Sequence, residues 1–348
     1  MTRIAVIQPA LTLGAVSENL ARVEDLIRDA HREHAPDVIL APEACTSPNV
    51  FARVLRDTAL PVDGQAFQLL TRLARELDCV VGGGFLAVRG KHAYGTYVLA
   101  EPDGSAHLHD KDQPSAWESN FYRGGDDDGV VRSSTLGVTV GLASGWELAR
   151  YRTAKRVRER EARVVLGGMC WPSMPSNWPG PLGTWMTSEH QRWSRQQREL
   201  PGQVARITGV PVAMAAHVGP IVSDTPMVPG LPWPTTMLGE SQICDRDGTV
   251  LARLAQEDGE GHVAADVDLS TPPRPSAPLR DRLWIPDMTR VATTGIAWHG
   301  MNAHGSIWYR WRHARRGFGW QSLPTGDLPD EIPAGEPATG PVATTFRG

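Results

Sequence analysis

The first 85 residues alternate between short apolar runs and amphipathic stretches, which limits the architectures open to the chain more than any other feature. Arg3–Gln8 (RIAVIQ) reads as a strand. Ser17 offers a helix N-cap, and Leu20, Val23, Ile27 and Ala30 follow at helical spacing. Pro36 ends that helix, and Asp37–Leu40 (DVIL) reads as a short buried strand. A second stripe, Phe67, Leu70, Leu73 and Leu77, leads into Cys79–Phe85, again strand-like. The order β-α-β-α-β predicts an α/β sandwich. With 348 residues there is chain for one large domain or two ordinary ones.

Farther on, Tyr94–Ala100 and the run after Asp103-Gly104 predict a β-hairpin. Leu136–Ala143 and Val164–Leu166 read as buried strands, separated by a basic helix carrying Arg150, Arg152, Lys155, Arg156, Arg158 and Arg160 that is expected to be a solvated or interface face. Thr187–Thr208 predicts a long polar helix and Val210–Ala216 a strand. Gly239–Cys244 and Thr249–Leu254 flank Asp247-Gly248, a second hairpin signal, and His262–Asp268 is the closing strand. The two halves thus repeat one plan without repeating sequence. After Pro272 the periodicity fades: Trp298–Trp320 is rich in Trp, Arg and His, and Leu323–Gly348 is a proline-bearing tail. The expected division is a domain over 1–270 and an extension over 271–348, an interface arm followed by the tail.

Composition excludes several classes. Thirty-five Lys+Arg against 39 Asp+Glu leave a net charge of −4, without the basic excess of a nucleic-acid-binding protein. No run approaches the roughly 18 apolar residues of a membrane span, and the opening strand has no signal-peptide core. Four cysteines (Cys45, Cys79, Cys170, Cys244) are too few for a disulfide framework, so a cytoplasmic location is expected. There is no GxGxxG, P-loop or CxxC, and Gly82-Gly83-Gly84 lacks the spacing of a dinucleotide site, so no cofactor is expected. His107 and His109 share one strand face and read as surface histidines rather than a metal pair, so no metal is expected either.

Three short segments carry chemistry when taken together. Glu43 follows a buried strand, at the sheet edge where α/β ligand sites form. Lys111 leaves the first hairpin, and Glu118 lies seven residues on, beside Trp117. Val140–Glu147 (VGLASGWE) is a strand running through a small turn into a helix, a shape that presents one side chain beside free N–H groups.

In this order the segments resemble the nitrilase, or carbon–nitrogen hydrolase, superfamily over roughly residues 1–270. The resemblance implies a four-layer αββα sandwich, homodimers or larger assemblies, and a small-molecule substrate. It implies Glu43 as general base, Lys111 as oxyanion stabiliser and Glu118 as assisting acid. A nucleophile, a base and a cation are what attack on an amide or nitrile carbon requires.

The chain departs from the pattern at one decisive place. The family's nucleophilic cysteine precedes an aromatic–acid pair; here that pair is Trp146-Glu147, and the preceding residue is Gly145. Two asparagines usual in the family also correspond to Gly95 and His217. Several routes stay open. Glu43 deprotonates water or substrate directly; Cys170, beside Trp171 at a neighbouring strand end, or Cys45 supplies a thiol; the protein is an inactive binding subunit; or Gly145 is a disabling substitution. Ser144 is adjacent and is a weaker candidate nucleophile than Cys170, because in an extended strand its side chain should point away from the face used by position 145 and pack as a small strand-end residue. Trp146, Glu147, Cys170, Trp171 and Trp117 are the expected substrate contacts. The excess of proline and tryptophan, 28 and 12, gathers in Trp171–Trp185 and Thr225–Met237, expected to be loops walling the site.

Overall fold

The alternation of the first 85 residues folds as it reads. A computed structural model of the chain describes residues 1–175, 178–226, 228–281, 283–285 and 298–316. β1 (Thr2–Gln8), α1 (Val16–His34), β2 (Val38–Leu40), β3 (Leu60–Pro61), α2 (Gln65–Leu77) and β4 (Val80–Arg89) follow in turn. β1, β2 and β4 pair in parallel, with a helix in each connection as parallel neighbours need. β5 (His92–Ala100) and β6 (Ala106–Asp110) add two antiparallel strands, joined through Asp103-Gly104 as expected. The second half repeats the arrangement with β7 (Val130–Arg132), β8 (Thr139–Ser144), α3 (Tyr151–Glu159), β9 (Val164–Met169), α4 (Gly180–Thr208) and β10 (Val212–Ala216). β11 (Val218–Thr225) and β12 (Val228–Leu238) form a ribbon, and β13 (Ser241–Cys244), β14 (Val250–Leu254), β15 (Gly261–Val267) and α5 (His299–Arg316) complete the described chain.

The strands make two sheets, ordered β15-β1-β2-β4-β5-β6, with β3 beside β4, and β14-β13-β10-β9-β8-β7. Three buried clusters define four layers. Ile4, Val6, Leu40 and Leu99 of the first sheet meet Val140, Leu142, Leu166 and Ala215 of the second. α1 and α2 cover the outer face of the first sheet through Val23, Ile27, Leu70 and Leu73. α3 and α4 cover the second through Val157, Leu200 and Val204. β2, β9 and β10 are apolar on both faces because each lies between the other sheet and a helix layer.

Four expectations are corrected. Ser17 does not cap α1: Ala15 occupies the N-cap, and Asn19 instead ties the preceding loop by bonds to the Thr12 amide (2.9 Å) and carbonyl (2.7 Å). α4 begins at Gly180, a turn and more before Thr187, because Pro181 suits a helix's first turn. Most of the Thr225–Met237 segment, Val228 onward, is not a loop but β12 of the β11–β12 ribbon. Its prolines are tolerated because a two-stranded ribbon leaves outward N–H positions unpaired. Finally, Arg150 and Arg156 of the basic segment turn inward to acids rather than to solvent.

Candidate active site

Glu43 sits just past the carboxyl end of β2, in a segment laced to β4 by Ala41 N–H to Gly82 O (2.7 Å), Gly84 N–H to Pro42 O (3.1 Å) and Cys45 N–H to Gly84 O (2.7 Å). The Gly82–Gly84 run therefore serves as a seat for the acid's backbone. Lys111 follows β6 and is anchored by its N–H to Gly95 O at 2.9 Å. Its ammonium donates to Glu43 Oε2 at 3.1 Å and to both oxygens of Glu118, at 3.1 and 2.8 Å. Glu118 lies in a single 3₁₀ turn, Ala116–Asn120, and also accepts from Ser115 N–H (2.5 Å) and Asn49 Nδ2 (3.3 Å). Lys111 is 0% and both acids 3% exposed.

One ammonium facing two carboxylates leaves a negative charge uncompensated in a dry site. Burial pushes the Glu43 carboxyl up to about 7, with Glu118 adding repulsion and Lys111 opposing. Burial would lower the Lys111 ammonium, but Glu118 and Glu43 outweigh it and hold it above its ordinary value. The lysine stays charged while Glu43 exchanges a proton near neutrality, the combination a general base needs.

The elbow meets this group at Glu43. Ser144 Oγ donates to Glu43 Oε2 at 3.0 Å, and Cys170 N–H donates to Glu43 Oε1 at 3.0 Å. The expectation that Ser144 points away from the site is overturned. Gly145 has φ +60°, so the chain leaves the strand's alternation there and successive side-chain directions converge on one carboxylate. A Cβ on Gly145 would lie 2.2 Å from Glu43 Oε1. Gly95 and His217 also border the site: Gly95 carries the carbonyl that anchors Lys111, and His217 Nε2 lies 2.6 Å from the Glu43 carbonyl oxygen. Burial pushes His217 down to about 4, so its ring is neutral and donates that bond.

A second buried network lies behind the first. Glu147 is 0% exposed, and its oxygens accept from Ser144 N–H (2.8 Å), Asp112 N–H (2.8 Å) and His109 Nε2 (2.8 Å). His109 bonds Asp127 through Nδ1. Burial would lower this imidazole, but Glu147 and Asp127 hold it well above its ordinary value. Burial would conversely raise Glu147, yet His109, Arg156 and Arg150 keep it well below the usual carboxylate range. Arg150 reaches Asp112 and the Gln113 carbonyl. His109 is thus no surface histidine; the β-strand period, which puts it on the same face as Lys111 two residues on, was the available signal. His107 is the half-buried one, beside Glu101 at 3.2 Å.

Trp146 and Trp171 meet at 4.3 Å between ring centroids and continue into Trp284 and Trp298, so the expected contact tryptophans belong to a buried aromatic cluster. Trp117 donates to the Asn49 carbonyl at 3.4 Å. Cys170 Sγ accepts from Asn49 N–H at 3.1 Å, and burial pushes its thiol well above the ordinary value. Cys45 Sγ faces the Pro42 carbonyl, its thiol pushed up to about 12 by burial. The segments rich in proline and tryptophan touch one another through Ser173 N–H to Thr236 O (2.9 Å) and Trp178 against Trp233. α5 docks on the Glu118 turn, with Ser119 Oγ donating to the Asn302 carbonyl (3.0 Å) and Asn302 Nδ2 to the Pro114 carbonyl (2.6 Å). The proline-bearing tail lies outside the described residues. Among those residues, one side-chain group has a metal-like arrangement: Glu33, His34 and His262, with ring nitrogens 3.1 Å apart and no residue in common with the Glu43 site.

A carbon–nitrogen hydrolase family model matches residues 3–272. The carbon–nitrogen hydrolase of Helicobacter pylori G27 superposes with a TM-score of 0.65 at 18% identity, covering 77% of this chain and 89% of that one. The amidase of Nesterenkonia sp. AN1, in a variant showing Michael addition of acrylamide at its active-site cysteine, gives 0.59 at 18% identity over 81% and 96%. Nit3 of Saccharomyces cerevisiae, a nitrilase-superfamily member, gives 0.58 at 16% over 76% and 89%. A search of curated proteins found no match. No helix among the described residues is long and apolar enough to cross a membrane.

Proposed function

Because the chain belongs to the carbon–nitrogen hydrolase family, we propose that it acts on a small amide-, nitrile- or carbonyl-type substrate through Glu43, Lys111 and Glu118, without a cysteine nucleophile. The carrying observation is the Glu43 carboxyl, poised near neutrality and bonded at once to an ammonium and a hydroxyl. Glu43 takes the proton in this reading. Lys111 holds negative charge developing on the substrate oxygen or nitrogen, and Glu118 keeps the ammonium aimed. Gly145 stands where a family nucleophile would and brings no reactive atom, which favours attack by oxygen over thioester chemistry. Trp117, Trp146 and Trp171 supply the apolar side of the site and Cys170 part of its wall, while Glu147 acts by fixing the elbow. We assign this chemistry to residues 1–270, with 271–348 as an extension, in a cytoplasmic homodimer or larger assembly.

A second reading keeps a thiol. Cys170 adjoins Glu43 through its backbone N–H. That reading requires the Cys170 thiol, now held by Asn49, to turn to Glu43 and release its proton.

The test is ammonia release from acetamide and acrylamide, and hydrolysis of p-nitrophenyl acetate. Glu43→Gln is expected to lower kcat/KM by about 10²–10⁴-fold with the fold intact. Unchanged turnover would sink the assignment, and ligand binding without turnover in the wild type would favour an inactive binding subunit.

A further inference from the structure

We infer that Ser144 is the oxygen nucleophile of this site, attacking the carbonyl carbon of a small amide or ester to form an acyl-serine intermediate. This rests on the hydrolytic reading above and names the atom that attacks.

The geometry is that of an activated nucleophile: hydroxyl, base, and a third group orienting the base. Ser144 Oγ donates to Glu43 Oε2 at 3.0 Å, and Lys111 Nζ donates to the same oxygen at 3.1 Å. Cys170 N–H holds the other oxygen, so the carboxylate has little freedom to rotate. The Ser144 backbone is itself clamped, its N–H donating to Glu147 Oε2 at 2.8 Å. A loose surface serine has none of these restraints; Ser144 is 1% exposed and ends the strand that enters the elbow.

Gly145 accounts for the arrangement. Any side chain there would begin 2.2 Å from Glu43 Oε1 and drive the carboxylate away. A side chain at 145 would therefore compete with Ser144 for the space around this carboxylate. The two thiols nearby are directed elsewhere, Cys45 to the Pro42 carbonyl and Cys170 to the Asn49 amide.

The steps balance without a co-reactant other than water. Glu43 takes the Oγ proton as Oγ bonds to the carbonyl carbon, and the carbonyl oxygen becomes an oxyanion facing the Lys111 ammonium. Collapse breaks the C–N or C–O bond, and Glu43 passes its proton to the departing nitrogen or oxygen. Water then adds to the acyl ester, giving a proton to Glu43. The C–Oγ bond breaks, Oγ regains the proton, and a carboxylic acid leaves.

The experiment is acid-quenched intact mass with peptide mapping after brief exposure to p-nitrophenyl acetate, run beside steady-state nitrophenol release. The wild type is expected to carry one acetyl group on Ser144. Ser144→Ala should lose that adduct and at least about 10²-fold in kcat/KM, with its thermal unfolding preserved. Ser144→Cys, which keeps a nucleophile, should instead carry an acetyl thioester at 144. An unmodified wild type, an acetyl group on Cys170, or a Ser144→Ala variant as active as wild type overturns the inference. If Ser144→Ala stays active while Glu43→Gln does not, only the nucleophile assignment falls. If Glu43→Gln is also fully active, the base assignment falls with it.

Discussion

At Glu43, activity and stability depend on pH in opposite senses. A base works deprotonated, so kcat/KM for p-nitrophenyl acetate should rise with pH along a limb centred near 7, the value to which burial pushes this carboxyl. The limb should vanish in Glu43→Gln; a wild-type profile flat from about pH 6 to 8 would count against Glu43 as base. Stability runs the other way. The folded-state value lies above the ordinary 4.5, so the folded protein binds this proton more tightly than the unfolded chain. Its contribution is full below about 4.5 and is lost as pH rises through about 7. Glu43→Gln removes the titration, so its advantage in melting temperature over wild type should grow across that window. Gly145 makes a second residue-scale prediction. Its φ of +60° costs a residue with a Cβ about 1–2 kcal/mol, and that Cβ would strike Glu43. Gly145→Ala should lose at least that much stability in urea denaturation and more than about tenfold in kcat/KM. Wild-type values for both would show that Glu43 does not occupy this position.

The buried ion network joins elements that share no sheet hydrogen bonds. His109 belongs to β6 of the first sheet, while Glu147 follows β8 of the second and Asp127 lies in the connection between them. The imidazolium ties the hairpin carrying Lys111 to the elbow carrying Ser144. Removing it leaves the buried Glu147 with Arg156 at 3.6 Å as its remaining ion-pair partner and the part-exposed Asp127 without its imidazolium, so His109→Gln should cost about 1–3 kcal/mol in equilibrium unfolding. The sign is the reverse of an ordinary carboxylate's. His109 is held well above 6.5, so its contribution is complete below that value and lost only as pH climbs through the elevated folded value. A variant that unfolds like wild type near pH 7 would contradict this role. These elements also mark what was legible in the chain. Strands and helices with a steady period were readable, as was Glu43–Lys111–Glu118 through its family-like order. His109 was not, because a lone histidine declares its partners only when Asp127 and Glu147 arrive from distant segments. Ser144 was misread because strand alternation was extended through a glycine that breaks it. The β11–β12 ribbon was hidden by prolines that usually argue against strands but are tolerated where no third strand pairs.

At the scale of the molecule, two sheets back to back bring the carboxyl ends of β2 and β9 together, so Glu43 and Cys170 meet across the sandwich. Described residues beyond 270 are part of this arrangement. Trp284 and Trp298 pack on Trp146 beside the elbow, and α5 packs against the turn that carries Glu118. The loss of periodicity after Pro272 concealed this, since these contacts are made by single tryptophans and one small helix face. Gly305 is where α5 comes closest: a Cβ there would lie 2.2 Å from Ser119 Oγ and 2.8 Å from Asn120 Nδ2. Gly305→Leu should therefore push α5 off the turn and free Glu118 from its fixed approach to Lys111. Glycine is a poor helix former, so the leucine raises intrinsic helix propensity by roughly 1 kcal/mol, which makes propensity and docking predict opposite signs. If docking dominates, the melting temperature falls and kcat/KM drops more than about tenfold. The rising limb near pH 7 should then shift as well, because Glu118 is one of the charges that sets the proton affinity of Glu43. A Gly305→Leu protein that is more stable than wild type and has the same pH profile would show that α5 is a passive cover and that the Glu118 turn holds itself.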